Sequence, residues 1–417
     1  MDINKLLNSS KDKIIDSWFI SQRDASYKIF NELGFPTKKQ DTWKYTNINE
    51  IISNNYSIPE KEKFDIFNIR RTSLDNTSAS LLFCNGLYDK EFSYSRIFED
   101  VEIKTLVSQA YGNNINFKEL FDQNLLPKKD DKENSLFWLN KTLLIDGNII
   151  RSKRKSKEWI QLSYLNSDTG WMSNNKHYIS CLEGSQENIF YISKSLPNAG
   201  IYWNNNVLEI TLKENSSLNL VILLNESFNA FNTLHCLFNL GENSKLNIGS
   251  IILDGSKNRL DLEIFMNGTN SECNLYGLSK TKKENSIITT IYHNADNTKS
   301  NQYYKNLNFD GVFNFIGNIN IDKNKRNCSA DQLVNSILID GHCNIIPELD
   351  INNDQVNCTH GVTIGGYDKN EIDYLMTRGF TEDHSKELLN DVFLNDIVSM
   401  FPENIKQYIT TYGFKND

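Results

Sequence analysis

Three stretches in the middle of the chain repeat one another: ENSSLNLVIL (214–223), ENSKLNIGSI (242–251) and TNSECNLYGL (269–278). The matched positions Leu218, Leu246 and Cys273 are separated by 28 and then 27 residues. In each copy an Asn-Ser pair leads into alternating polar and apolar residues, a pattern typical of a strand that follows a turn. Strand units that recur roughly every 20–50 residues indicate a stacked solenoid such as a β-helix.

The strand-like pattern extends over residues 143–365. Asp-Gly pairs, which are strong turn signals, stand at Asp146-Gly147, Asp254-Gly255, Asp310-Gly311 and Asp340-Gly341. Coils of the repeat length would give about eight rungs across this range, each adding a layer about 4.8 Å thick. A β-sandwich with similar hairpins is the alternative, but three copies of one pattern favour stacking. We therefore predict a mainly β chain with a β-helix core over residues 143–365.

Helical patterns flank the predicted core on both sides. Residues 1–142 form a mainly helical N-terminal region, in which Gly34 is a candidate helix terminator. Residues 366–417 form a C-terminal helical domain, and Asp368 and Thr381 are candidate N-caps of its two helices. These helices would shield the last rung of the solenoid or dock a partner. Their apolar residues are Ile372, Leu375, Met376, Leu388, Leu389, Val392 and Phe393.

The composition indicates a soluble protein. The chain has 417 residues, a formal net charge of −9 and a pI near 5.4, which argues against a nucleic-acid binder with its basic surface. The longest apolar runs, such as Leu218–Leu224, are far shorter than the roughly 20 residues that span a bilayer. The N-terminus shows no secretory signal pattern. We therefore expect a cytoplasmic protein with protein partners and no membrane or nucleic-acid partner.

The seven cysteines are scattered, and none lies closer than fifteen residues to the next. This spacing offers neither a disulfide framework nor a C-x-x-C metal motif. The sequence also lacks a P-loop, a dinucleotide-binding glycine motif, a G-x-S-x-G elbow and an H-E-x-x-H pair, so we expect no enzymatic activity of its own. Any bound metal would have to be held by residues that the fold or a subunit boundary brings together.

Cys358 and His360 are the candidate metal ligands. They stand two residues apart in a strand-like run, so their side chains would share one face, roughly 6.5–7 Å apart. Cys358 is also interpretable as a small buried hydrophobe, and His360 as a proton-exchanging group. Cys343 could approach them on an adjoining strand, whereas His342 would face the opposite side.

The segment PELDINNDQVNCTHGVTIGGYDKNEIDYLMTRGF (347–380) closely resembles the C-terminal signature of the SufB/SufD family of iron–sulfur cluster assembly proteins. Further matches occur in family order, which supports the resemblance. They are LGFPTKKQDTWKYTNI (33–48), LLFCNGLYD (81–89), LDLEIFMNGTNSECNLYGL (260–278) and YYKNLNFDGVFNFIGNINID (303–322). The chain length, the Thr-His-Gly context and the missing N-terminal cysteine-rich motif favour the SufD branch.

The resemblance implies a right-handed parallel β-helix flanked by helical domains. It implies a complex in which SufB and SufD pair and each binds one SufC ATPase through its C-terminal helices, here the apolar positions given above. That complex builds a nascent iron–sulfur cluster and is associated with reduced FAD. The resemblance also places His360 opposite a SufB cysteine at the subunit interface and leaves open the role of Cys358, as well as whether the chain forms a homodimer when SufB is absent.

Two other classes are compatible with a β-helix. A carbohydrate-active enzyme would show a groove of paired carboxylates, which the sequence does not reveal. A purely structural subunit would bind its partners but tolerate the loss of both Cys358 and His360.

Overall fold

The computed structural model describes residues 1–11, 17–70, 72–96, 99–111, 132–167, 169–197, 199–253, 255–351 and 355–409. Asp254, part of one predicted Asp-Gly turn, and residues 410–417 of the predicted C-terminal domain lie outside this described part. Its helices are α1 (Ile3–Lys11), α2 (Ser17–Leu33), α3 (Asn49–Ile52), α4 (Ile66–Arg70), α5 (Leu106–Tyr111), α6 (Ser135–Leu143), α7 (Lys369–Thr377), α8 (Glu382–Ser399) and α9 (Glu403–Tyr408).

The chain forms the following strands, given in chain order. Those of the first part are β1 (Thr77–Cys84), β2 (Leu87–Ser95), β3 (Val101–Thr105), β4 (Asp146–Ser152), β5 (Lys155–Asn166), β6 (Trp171–Ser173) and β7 (Asn175–Cys181). The middle ones are β8 (Gln186–Ser195), β9 (Tyr202–Leu212), β10 (Ser217–Asn225), β11 (Phe231–Leu240), β12 (Lys245–Ile252), β13 (Lys257–Met266) and β14 (Glu272–Thr281). The last are β15 (Glu284–His293), β16 (Lys299–Asn308), β17 (Gly311–Ile321), β18 (Cys328–Leu338), β19 (Gly341–Ile351) and β20 (Val356–Gly365).

Two long sheets form a parallel β-solenoid of about eight turns. Sheet A has the order β3-β4-β7-β9-β11-β13-β15-β17-β19, and sheet B has the order β2-β1-β5-β8-β10-β12-β14-β16-β18-β20. Leu218 pairs with Leu246, and Leu246 pairs with Cys273, so the three repeat copies occupy consecutive coils. The predicted mainly β solenoid with helices at both ends is therefore confirmed.

The solenoid begins before residue 143. Strand β1 pairs in parallel with β5, so it is the first parallel strand of sheet B, although the sequence pattern assigned it to the N-terminal region. Asn85 and Gly86 connect β1 to the antiparallel β2, and both have positive φ, which suits a tight hairpin turn. The predicted N-terminal region thus supplies both helices and the first strands of the solenoid.

The repeated Asn-Ser turns share one backbone conformation. Asn215, Asn243 and Asn270 have φ of 57°, 52° and 59°, in the left-handed region that asparagine tolerates well. Asn297 and Asn327 repeat this geometry in the next two coils. Neighbouring turn amides are hydrogen-bonded: the Nδ2 of Asn243 donates to Asn215 Oδ1 at 3.2 Å, and that of Asn270 donates to Asn243 Oδ1 at 3.0 Å. The repeat therefore continues beyond the three copies visible in the sequence.

The predicted Asp-Gly turns have different outcomes. Asp310-Gly311 and Asp340-Gly341 connect a strand of sheet B to a strand of sheet A. The turn predicted at Asp146-Gly147 is wrong, because both residues begin β4. The Asp146 carboxylate instead accepts hydrogen bonds from the backbone N–H groups of Gly147 at 2.8 Å and Tyr88 at 3.0 Å. It thereby links β4 to β2.

The N-terminal unit packs along the outer face of sheet A. Trp43 is buried in a cluster with α6 and with sheet residues such as Trp203. The Arg259 guanidinium lies over the Trp43 ring, 3.8 Å from its centroid, and donates to the carbonyl oxygen of Thr42 at 2.7 Å. Glu133 accepts a hydrogen bond from the Thr42 hydroxyl at 2.9 Å. The Asp-Thr-Trp segment (41–43) thus anchors this unit to the solenoid.

The C-terminal helices do not cover the last rung. The second half of α8 and all of α9 pack on the outer face of sheet B, where Leu394, Ile397 and Phe401 are buried. Gly249 leaves the space for Phe401, since a Cβ there would lie 2.7 Å from its ring. The prediction that these helices shield the last rung is therefore wrong, because their buried apolar residues pack against the outer face of sheet B instead. Asp368 and Thr381 cap α7 and α8 as predicted.

The two ends of the solenoid differ. At the first end, antiparallel strands β2 and β3 continue sheets B and A. At the other end, the described part of the chain provides no strand beyond β19 and β20. Among the described residues, no helix has the length and apolarity needed to cross a bilayer.

Candidate functional site

His360 is the last member of a column of side chains inside the solenoid. The column contains one residue from each strand of sheet B between β1 and β20, in register. Its members are Ala79, Ile160, Ile189, Leu220, Ile248, Leu275, Gln302, Gln332 and His360. The first six belong to the main apolar core. His360 thus points toward the interior, but it is exposed because the described part of the chain places no further coil above it.

The column becomes polar over its last three members. Gln302 and Gln332 are 3 % and 2 % exposed, in positions where strands β5 to β14 of sheet B have leucine or isoleucine. Neither glutamine was predicted from the sequence. The in-register continuation of the repeat into β16 and β18 is the signal that could have identified them.

Cys358 lies on the same interior face, two residues before His360. Ala330 is its neighbour on β18, and its side chain packs with Ile319, Ile321 and Cys328. Burial raises the pKa of the Cys358 thiol, which favours the protonated form. In this arrangement Cys358 is a half-covered core residue, whereas the His360 side chain is accessible.

Cys343 does not join this pair. It lies at the start of β19, where its Sγ is 3.2 Å from Ser336 Oγ. Ser336 pairs with Ile364, which is six residues beyond Cys358 on β20, or about 20 Å along the strand. His342 is exposed, while Cys343 is half-buried against the core, as the predicted alternation requires.

The end of the solenoid formed by β19 and β20, called the open end from here on, exposes apolar side chains. The equivalent interior positions in earlier coils are buried. Val362 and Ile364 on β20 are 39 % and 44 % exposed, although Val334, directly below Val362, is fully buried. From the opposite sheet, Leu349 and Ile351 of β19 are half-buried. This end is therefore an unfinished core, which a further coil or another chain would complete.

The edges of the two final strands have different chemistry. Strand β20 reads VNCTHGVTIG, without a charged residue or a proline, so nothing in it disfavours pairing with another strand. Strand β19 carries Pro347 in its middle and acidic residues at Glu348 and Asp350, features that protect an edge from pairing. Strand β20 is therefore the edge better suited to receive a partner strand.

Within the described part of the chain, no three His, Cys, Asp or Glu residues come together in a metal-binding group. His360 and Cys358 can supply an imidazole nitrogen and a thiolate, both good ligands for iron. Two ligands from one chain leave a coordination sphere incomplete. This geometry suits a site that another chain completes.

The predicted partner-binding residues on the C-terminal helices differ in exposure. No residue of α7 is buried, and Met376 is 45 % exposed. Val392 on α8 is 72 % exposed, whereas Phe393 packs against sheet B beneath the Lys305 ammonium. The remaining predicted positions, which are half-buried, are Ile372, Leu375, Leu388 and Leu389. The α7–α8 hairpin thus presents an apolar surface that excludes Phe393.

A polar recess of about 280 Å³ lies on the outer face of sheet A. Its carboxylates are Glu133, Asp261, Glu263, Glu348 and Asp350. Asp261 forms two contacts of 2.8 Å with the Arg259 guanidinium, and Glu263 lies 3.6 Å from His235. This group of carboxylates was not predicted from the sequence. These charged side chains lie around the contact between the Asp-Thr-Trp segment and the solenoid. We therefore interpret the recess as a polar part of the interface between the N-terminal unit and the solenoid.

Two family models match the chain. The SufBD protein N-terminal region matches residues 4–161, and the model described as SUF system FeS cluster assembly, SufBD core domain, matches residues 164–393. No curated protein sequence matches the chain. The core match contains the solenoid from β6 onward, the open end and most of the α7–α8 hairpin. The chain therefore belongs to the SufB/SufD family, and its role lies in iron–sulfur cluster assembly.

Proposed function

We propose that the chain is a non-catalytic scaffold subunit of the SufD type, which pairs with SufB through the open end of its solenoid. His360 supplies one ligand to a nascent iron–sulfur cluster held between the two chains. The single observation that carries the proposal is the position of His360 at the end of an interior column, exposed and within an unfinished core. A second chain would cover this end and supply the missing ligands.

The chemistry of the edge supports pairing through β20. Its N–H and C=O groups that no described strand pairs with can extend sheet B into the partner, while Val362 and Ile364 complete the apolar core. Cys358 is the second candidate ligand. It would have to leave its contacts with Cys328 and Ala330 and lose its proton before binding iron.

The α7–α8 hairpin is the proposed docking surface for the SufC ATPase. No residue of its first helix, α7, is buried, and the exposed apolar residues of the hairpin include Met376 and Val392. The Lys305 ammonium of sheet B forms an ion pair with Asp396, in the second half of α8, at 2.6 Å. A movement of the hairpin driven by the ATPase would therefore pull on β16, which lies two strands from β20. The proposal includes cytoplasmic location and reduced FAD as a participant at the level of the complex.

The test uses the co-expressed complex with SufB and SufC, purified without oxygen. His360→Ala should reduce cluster absorbance, bound iron and acid-labile sulfide several-fold while the three chains remain assembled. His342→Ala is the matched control, because His342 is also exposed but on the outward face of the neighbouring end strand. Wild-type cluster content in His360→Ala would contradict the ligand role and favour a purely structural subunit.

A second variant tests the docking surface. Val392→Lys should weaken capture of SufC, because it places a charge within the exposed apolar surface. Met400→Lys is the control, since Met400 is an exposed residue at the far end of the same helix. Equal capture of SufC by both variants would contradict docking at Val392.

A further inference from the structure

The interior column that ends at His360 contains a buried amide with no visible role in the proposed site. Gln332 lies directly below His360 on β18 and is 2 % exposed. Neither its Oε1 nor its Nε2 has a hydrogen-bond partner in the described part of the chain. Burying an amide without partners is unfavourable, and an isosteric apolar residue would avoid that cost. A glutamine here therefore calls for a ligand that arrives later.

The opposite sheet makes room for this amide. A Cβ on Gly317 of β17 would lie only 1.9 Å from Gln332 Nε2, so any larger residue would displace the amide. Pro347 of β19 stands above Gly317, just as His360 of β20 stands above Gln332. The Gln332 amide thus spans the interior one coil below the opening between Pro347 and His360.

Gln302 provides a comparison one coil deeper in the same column. Its Oε1 accepts a hydrogen bond from the Thr289 hydroxyl at 2.7 Å, and its Nε2 has no partner among the described residues. This hydrogen bond anchors the carbonyl end of Gln302 and leaves its amide N–H groups available to a neighbour in the column. Gln332 lies between the Gln302 amide and the opening. Its Oε1 can therefore accept a hydrogen bond from Gln302, while its Nε2 can donate one to a group at the opening.

We propose that the Gln332 carboxamide forms the floor of the ligand site and donates an N–H hydrogen bond to an anionic sulfur held beside His360. The sulfur is sulfide or a cysteine thiolate of the partner chain. Successive coils are about 4.8 Å apart, so a sulfur in the plane of the last rung would lie within reach of the amide below it. Hydrogen bonds to sulfur tune iron–sulfur clusters. The inference rests on the proposed function, because it needs a sulfur ligand at the open end.

The test compares Gln332→Met with Gln302→Met, which makes the same change one coil deeper. In the purified chain, Gln332→Met should melt at the same temperature as wild type or higher, because it removes two unpaired polar atoms. In the anaerobic complex with its partner chains, it should lower cluster content several-fold and move Fe–S stretching bands to higher frequency in resonance Raman spectra. Gln302→Met should keep wild-type bands. Labelling with ³⁴S-sulfide then separates sulfide modes from thiolate modes.

The outcomes separate the two proposals. A cluster that persists in His360→Ala contradicts the proposed function. A cluster that is lost in His360→Ala but has unchanged content and Raman bands in Gln332→Met contradicts only the role of Gln332. A lower melting temperature of Gln332→Met with unchanged bands would show that the amide is structural.

Discussion

The two ends of the solenoid differ in whether their edge strands are protected from pairing with a further strand. At the first end, sheet B is continued by the antiparallel β2, which is joined to β1 with a register shift between Ser80 and Leu82 and carries the charged Lys90 and Glu91. Such irregularities and charges prevent further pairing. At the other end, β20 has neither, and the side chains above the last complete layer are exposed. This difference supports the proposal that another chain covers the second end.

Substitutions in the covered middle and at the open end of one interior column should differ most strongly in their effect on stability. Leu220→Ala should destabilise the chain by about 3 kcal/mol, because it leaves a cavity in the fully buried part of the column. His360→Ala should change the free energy of unfolding by less than about 0.5 kcal/mol, since its side chain is exposed. Urea unfolding of the isolated chain measures both. A comparable loss in His360→Ala would mean that the open end is already part of the finished core.

The buried His293 at the end of β15 should make the stability of the chain depend on pH. Burial lowers the pKa of His293 to about 4, and its ring contacts the hydroxyls of Thr298 at 2.7 Å and Ser300 at 3.0 Å. The unfolded chain binds a proton near pH 6.5, so the neutral histidine contributes stability above that pH, which is lost as the pH falls toward 4. The loss attributable to this group is about 3 kcal/mol or less.

His293→Gln is the variant that isolates this dependence. Unfolding midpoints measured between pH 7 and pH 4.5 should fall less steeply in the variant than in wild type. His177, whose pKa is lowered by burial to about 3, lies in an earlier coil and is unchanged in both proteins, so the difference reports on His293. Parallel pH profiles would contradict the assignment.

The asparagine turns give the smallest of these effects. Asn243→Ala should destabilise the chain by about 1–2 kcal/mol. Alanine disfavours the left-handed conformation, and the side-chain hydrogen bonds to Asn215 and Asn270 are lost. Asn243→Gly should cost less, since glycine adopts positive φ freely. Asn327→Ala should cost less than Asn243→Ala, because the described residues give Asn327 a ladder bond to Asn297 alone. Equal urea midpoints for all three variants would contradict this difference.

Part of this architecture could be predicted from the sequence and part could not. The repeat predicted the solenoid because the matched residues Leu218, Leu246 and Cys273 face the same core in consecutive coils. The pairing of β1 with β5 is not visible locally, since it joins residues about eighty positions apart. The position of α8 was also missed, because the apolar outer face of sheet B, which covers Leu394 and Phe401, forms only after the coils stack.

The candidate site shows the same division. The spacing of Cys358 and His360 predicted a shared strand face, and their in-register pairing with Ala330 and Gln332 confirms that face. Their different exposure could not be predicted, because it depends on which neighbouring coils cover each residue. Gln332 was missed because its burial depends on Gly317 across the interior, fifteen residues away in the sequence.

Hydrogen–deuterium exchange of the β20 amides tests most directly whether another chain covers the open end. The isolated chain is compared with the co-purified complex, and the peptides that contain residues 355–366 are followed. We expect rapid exchange of the unpaired β20 amides in the isolated chain at a concentration where it is monomeric, and strong protection in the complex. The β2 amides at the opposite end should exchange equally in both samples. Unchanged exchange of β20 in an intact complex would contradict pairing through this end.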